Sequence, residues 1–139
     1  MKARVTLIEG MTWLGEAGSG HGIVIDAAPD IGGRNLGLRP MELVLLGLAG
    51  CTAVDVRLIL QRGREQVTDC TVEAEAERAA NDPKIFTKVH LAYRVVGRNL
   101  STDKVRRAVE LSSTKYCSAS AMIAKTAEIT HAIEVVEVG

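Results

Sequence analysis

Aromatic side chains are almost missing from this chain: Phe86, Trp13, Tyr93 and Tyr116 make up 3% of its 139 residues. Net charge is missing too, because 17 Lys and Arg balance 17 Asp and Glu. With few rings to stack on bases and no net field to attract a polyanion, nucleic-acid binding is disfavoured. No GxSxG, HExxH or phosphate-binding loop occurs, and Gly32-Gly33 and Gly18 to Gly20 lack the strand-turn-helix setting of a nucleotide fingerprint. The longest uncharged run, Leu43 to Val54, falls well short of the ~18 to 20 residues that cross a bilayer, so no membrane segment is expected. The apolar stretch at the N-terminus is broken by Thr6 and ended by Glu9, too short for a signal-peptide core, and the expected location is cytoplasmic.

What remains is a folded chain with an aliphatic core. Hydrophobic residues make up 47%, too many for disorder, and the length is that of one domain, taken as residues 1–139. Gly-punctuated segments at Lys2 to Ile8, Met11 to Glu16 and His21 to Asp26 read as an antiparallel meander. A glycine-containing loop spans Ala27 to Leu38. A helix then opens near Pro40, where a missing N–H costs nothing, and runs to about Arg62, with Gly63 as its expected C-cap. Between Leu43 and Val54 apolar side chains wrap its whole circumference, and such a helix must be covered all round. A second subunit is the expected cover, over a face carrying Leu43, Gly47, Gly50, Cys51 and Val54. The alternative is a central helix buried within a monomer.

Alternation makes Val67 to Glu77 a strand with an acidic wet face, and a turn at Ala79 to Lys84 returns the chain along Ile85 to Val96. Aligning the apolar faces sets Lys88, His90 and Arg94 opposite the Glu row. Ser101 caps a helix with Val105, Ala108, Val109 and Leu111 inward, a shorter helix spans about Ser118 to Ala127, and Ile129 to Val138 is a strand. The order βββ-α-ββ-α-α-β is α+β, with an antiparallel sheet.

Only thiols stand out as nucleophiles. Cys51, Cys70 and Cys117 are odd in number and too widely spaced for a CxxC site, which argues against a disulfide framework. His21, His90 and His131 fall in different elements without ligand spacing, and no metal or cofactor is expected. Cys70 lies on the inward face of its strand and reads as structural. Cys117 directly precedes a helix, whose N–H groups would favour a thiolate, with Lys115 and Tyr116 beside it. From spacing alone Cys51 reads first as inert packing. It needs a cation to become reactive, and Arg39 or an arginine from another segment or subunit are the candidates.

Asp26-Ala27-Ala28-Pro29 followed by Gly32-Gly33, then Leu38-Arg39-Pro40-Met41-Glu42-Leu43, Ala49-Gly50-Cys51-Thr52 and Tyr116-Cys117-Ser118, resembles the OsmC/Ohr superfamily of osmotically inducible and organic hydroperoxide resistance proteins. The resemblance implies an OsmC-like intertwined homodimer in which Cys51 reduces an organic hydroperoxide, Cys117 resolves it, and an external dithiol restores both. Apart from the resemblance, Arg39 is the candidate to stabilise the thiolate, with Glu42 the candidate to orient it. The peroxidases of that superfamily place Glu directly after Pro, where this chain has Met41, and draw an arginine from a region matching Thr12 to Asp26, which here contains neither Arg nor Lys. In both respects the chain looks like a less characterised branch. A reading of a different class is a dimeric protein that holds an apolar ligand or a reactive sulfur species without turning it over.

Overall fold

The computed structural model describes residues Met1–Val138 and divides into two compact units, Met1–Val44 and the chain from Leu45 onward. In the first, β1 (Ala3–Glu9), β2 (Thr12–Ala17) and β3 (Gly22–Asp26) form the expected antiparallel meander in the order β1-β2-β3. Its anchor is Asp26, 1% exposed. The carboxylate accepts the backbone N–H of Ala27 at 2.9 Å, of Arg34 at 3.1 Å and of Leu36 at 3.2 Å, and the Thr12 hydroxyl at 3.3 Å. A single acid thus folds the loop back onto β3, and Leu38 closes it with backbone bonds to Val24 and Asp26. Gly33 is there for space, since a Cβ would sit inside the carbonyl group of Ala27, and Gly32 for its left-handed backbone at φ 96°.

Helix α1 (Pro40–Arg62) has the bounds expected from the sequence. Proline occupies its first position, and Glu42 reaches back to accept the Arg39 N–H at 2.8 Å, one half of a capping box. The far end differs from expectation. Gly63 does not take the left-handed conformation; Arg64 does, at φ 59°, and Lys104 Nζ donates to the Gly63 carbonyl at 3.2 Å.

Leu48, Thr52, Val56 and Leu60, four residues apart, form the buried stripe of α1. On its other faces Val54 is 67% and Leu46 53% exposed. By length and apolar content α1 alone would suffice to cross a membrane. It carries Asp55 and Arg57 and packs through its buried stripe.

The second sheet has the order β4-β5-β6, built from β4 (Gln66–Arg78), β5 (Phe86–Arg98) and β6 (Glu128–Glu137). The β4–β5 hairpin has the register that charge alternation implies, Glu75 opposite His90 and Glu77 opposite Lys88. Val89, Leu91, Tyr93 and Val95 of β5 are buried, whereas Ile85, expected to begin the strand, precedes it and is exposed. One pairing departs from the antiparallel sheet expected: β6 runs parallel to β5. The reason is the crossover, since α2 (Thr102–Leu111) and α3 (Ser118–Ile123) carry the chain back to the end where β5 began. Helix α2 starts as read, with Ser101 Oγ accepting the Lys104 N–H at 3.3 Å and Val105, Ala108 and Val109 buried. Helix α3 stops four residues short of the expected Ala127.

Candidate functional site

Between α2 and α3 the chain makes a π-helical turn, Ser112–Tyr116, that the sequence did not announce. Its closing bond runs from Cys117 N–H to the Ser112 carbonyl at 2.8 Å, five residues back. Such a turn inserts a residue into the helical register and re-aims the side chains beyond it, and it occurs often where side chains must converge. Here it brings Cys117 to α1. The sulfurs of Cys51 and Cys117 and a carboxylate oxygen of Asp55 all lie within 4.8 Å of one another. Cys51 and Asp55 share a face of α1 because they are one helical turn apart. Cys117 is buried, while Cys51 and Asp55 are partly exposed.

A row of buried hydroxyls stands behind this cluster. Ser112 Oγ donates to Asp55 Oδ2 at 2.9 Å, Ser112 Oγ is 2.8 Å from Thr52 Oγ1, and Thr52 Oγ1 is 2.7 Å from Tyr93 Oη. Each hydroxyl has one proton. Since that of Ser112 goes to the carboxylate, Thr52 must donate to Ser112, and Tyr93 is left to donate to Thr52. All three protons therefore point along the row toward Asp55, an arrangement in which each bond polarises the next. Burial pushes the Tyr93 phenol up, which keeps it a donor.

Cys117 caps α3, its sulfur accepting the Ser120 N–H at 3.3 Å. The sequence argument that this position would favour a thiolate is outweighed. Burial pushes the Cys117 thiol up, the bonds from Ser120 offset that only in part, and Cys51 pushes it further up. The neighbours expected to assist point elsewhere: Lys115 lies over the Tyr116 ring, 5.2 Å from its centroid, and Tyr116 is exposed. Among the described residues of this unit, no Lys or Arg forms an ion pair or hydrogen bond with Cys51, Asp55 or Cys117. Sequence reasoning looked for a cation beside Cys51 and missed both Asp55 and Ser112. The i,i+4 spacing of Cys51 and Asp55 was the available signal.

Arg39 and Glu42, the other expected site residues, form a pair of their own at 3.6 Å at the start of α1. Cys70 stands opposite Val95 in the hairpin, half-buried, and burial raises its thiol above the ordinary value. With Ala53, Val54, Arg57, Leu58 and Gln61 it lines an open apolar depression of about 520 Å³. The histidines serve the sheet. His90 bonds Thr130 at 2.7 Å, and the His131 ring tilts against Tyr93.

The fold and this cluster define an α+β protein built around a pair of cysteines on successive helical segments. The profile of the OsmC-like protein family matches residues 32–132, and the chain belongs to that family. It is similar to protein YhfA of Escherichia coli K12, 46% identical over 136 residues that cover 98% of each chain. A crystal structure of a hypothetical protein from Aquifex aeolicus VF5 is 29% identical and superposes with a TM-score of 0.87 over 99% of this chain and 97% of that one. An organic hydroperoxide resistance protein from Elizabethkingia anophelis, crystallised with thiocyanate bound, shares 16% identity and the fold, with a TM-score of 0.71 over 95% and 93% of the two chains.

Proposed function

We propose that this protein reduces small organic hydroperoxides through its cysteine pair. The observation that carries the reading is the meeting of the Cys51 and Cys117 sulfurs within 4.8 Å. The Cys51 thiolate attacks the distal oxygen of ROOH, the O–O bond breaks, and the alkoxide takes a proton and leaves as ROH. Cys51 remains as a sulfenic acid. The Cys117 thiol condenses with it, water leaves, and an external dithiol then reduces the Cys51–Cys117 disulfide by exchange. The aliphatic surroundings favour an alkyl peroxide over hydrogen peroxide, because each buried CH₂ adds about 0.8 kcal/mol. Arg39, oriented by Glu42, is proposed as the residue that balances the thiolate. That assignment rests on the need of a reactive thiolate for a cation, together with the 3.6 Å pair the two side chains form.

The working unit in this proposal is a cytoplasmic homodimer. It is supported by the uncovered faces of α1 and by Val5, Leu7, Ile8, Ile23 and Val24, exposed apolar residues of a three-stranded sheet. A second reading, a dimeric binder of an apolar or reactive-sulfur ligand, is favoured by the presence of a carboxylate rather than a cation beside the thiols and by the apolar depression at Cys70. Thiol titration before and after one equivalent of cumene hydroperoxide separates the two. The peroxidase loses two thiols per chain and yields a Cys51–Cys117 peptide, whereas unchanged thiols leave the binder.

A further inference from the structure

We propose that Cys51, Asp55 and Cys117 form a binding site for a thiophilic divalent cation of the zinc class, with the fourth position left to water or an exogenous thiol. The inference goes beyond the peroxide reading and does not depend on it. Its first support is the donor set: two sulfurs and one carboxylate oxygen mutually within 4.8 Å, with no Lys or Arg bonded to any of them among the described residues of the unit. Deprotonating both thiols there gathers three negative charges, which only a cation can hold together. Zinc takes S and O ligands at about 2.3 Å and 2.0 to 2.2 Å, so tetrahedral geometry sets its donors roughly 3.5 to 3.8 Å apart. From separations of at most 4.8 Å the cluster has to contract by no more than about an ångström, a change within reach of side-chain rotation.

Its second support is the shell around the donors. Metal-binding carboxylates are themselves held by hydrogen bonds that fix their orientation. Asp55 Oδ2 is held by Ser112 at 2.9 Å, and Ser112 is in turn held by Thr52, which fixes the carboxylate that stands beside the two sulfurs. The Ser120 N–H aimed at Cys117 Sγ, 3.3 Å away, supplies a bond that a metal-bound thiolate still accepts. Cys51 and Asp55 stand at i and i+4 of one helix, the spacing by which helices offer two ligands to one metal. Binding releases the two thiol protons to solvent, so affinity climbs with pH. The partly exposed Cys51 edge provides entry, and the open coordination position makes the site one for exchange rather than a closed structural centre.

The test uses the reduced full-length protein without peroxide. Titration with Co²⁺ is expected to give one metal per chain, a near-ultraviolet thiolate-to-cobalt charge-transfer band and intense tetrahedral visible bands, with proton release approaching two per metal. Zn²⁺ displaces the cobalt. Cys51→Ser and Cys117→Ser each weaken binding by about 100-fold, whereas Ser112→Ala, which keeps all three donors and removes the bond that orients Asp55, weakens it by about tenfold and keeps the charge-transfer band. Cys70→Ser changes nothing. Should a site variant fold poorly, the wild type decides: saturating Zn²⁺ protects Cys51 and Cys117, but not Cys70, from alkylation. Absence of the charge-transfer band, or a band undiminished in Cys117→Ser, overturns the site. A protein that binds metal but ignores peroxide loses only the peroxidase reading, and one that consumes peroxide without binding metal loses only this one.

Discussion

Ser112 Oγ donates to Asp55 Oδ2 at 2.9 Å, joining the end of α2 to the middle of α1 beneath the two cysteines. Because Ser112 and Thr52 are fully buried and Tyr93 is 2% exposed, none of the three hydroxyls can turn to water for a replacement partner. Ser112→Ala removes the hydroxyl that accepts from Thr52 and leaves Thr52 and Tyr93 with two buried protons and one bond between them, so that one proton is orphaned. It is expected to destabilise the protein by about 1 to 3 kcal/mol, the cost of an orphaned buried donor. Tyr93→Phe removes the donor at the far end and orphans no proton, so its expected cost is smaller, about 0.5 to 1.5 kcal/mol. Urea unfolding of both variants checks the order. Equal losses would mean that the proton direction is not the one assigned.

If Cys117 resolves a sulfenic acid on Cys51, then Cys117→Ser must stop the reaction halfway. One thiol per chain is expected to disappear on addition of cumene hydroperoxide, with a sulfenic acid at Cys51 trapped by dimedone and identified by mass spectrometry. Cys51→Ser is expected to lose none. In the wild type, burial and Cys51 together keep the Cys117 thiol protonated beyond the usual range, so the resolving step should accelerate through the alkaline range. Stopped-flow measurement of disulfide formation against pH reads this directly. A flat profile removes Cys117 from the rate-determining proton loss.

Asp26 predicts how the protein responds to acid. Burial alone would push its carboxyl up, but the N–H donors of Leu36, Arg34 and Ala27 and the Thr12 hydroxyl outweigh burial and hold it below the ordinary value. With the folded value lower than the unfolded one, about 3.9, the unfolded chain takes up the proton first as pH falls. The contribution of Asp26 is therefore fully present above that pH and is lost as pH drops through the folded value. Asp26→Asn is expected to be less stable at pH 7 and to show a shallower decline in acid. Thermal unfolding midpoints from pH 7 down to pH 3 supply the comparison, and parallel curves for the two proteins would contradict it.

The parts of this molecule legible from sequence are those whose signals are local. Pro40 and the apolar run after it mark the start of α1 by themselves, and the Glu row with its Lys and His counterparts sets the hairpin register, because a slip of one residue would turn every side chain to the wrong face. Ser112 to Tyr116 carry no apolar period, so nothing marked them as a π turn, and Ser112 could not be singled out. The parallel pairing of β6 depends on where two helices return the chain, information that no window of sequence holds. Asp55 stands in plain view four residues after Cys51. Its role is hidden because a reactive thiol calls for a cation, and the chemistry of a carboxylate beside two sulfurs emerges only when the second sulfur arrives from a distant segment.

Assembly state offers the last prediction. The chain leaves Val54 67%, Leu46 53% and Val44 44% exposed on a helix whose buried stripe is only one residue wide per turn. A Cβ built at Gly47 or Gly50 meets nothing within 4 Å, so this stretch of α1 is open to close approach. An uncovered apolar surface of that kind ordinarily marks an association site. In the proposed homodimer a second copy takes that place, and the wild type sediments at about twice 14.9 kDa at micromolar concentration. Val54→Asp places a charge where the isolated chain is exposed, so folding of the single chain is little affected, while burial of an unpaired carboxylate opposes association by several kcal/mol. The variant is expected to sediment near 14.9 kDa with its far-ultraviolet circular dichroism retained. A wild type that already sediments as a monomer would remove the dimer from the proposal and leave the face of α1 free for another partner.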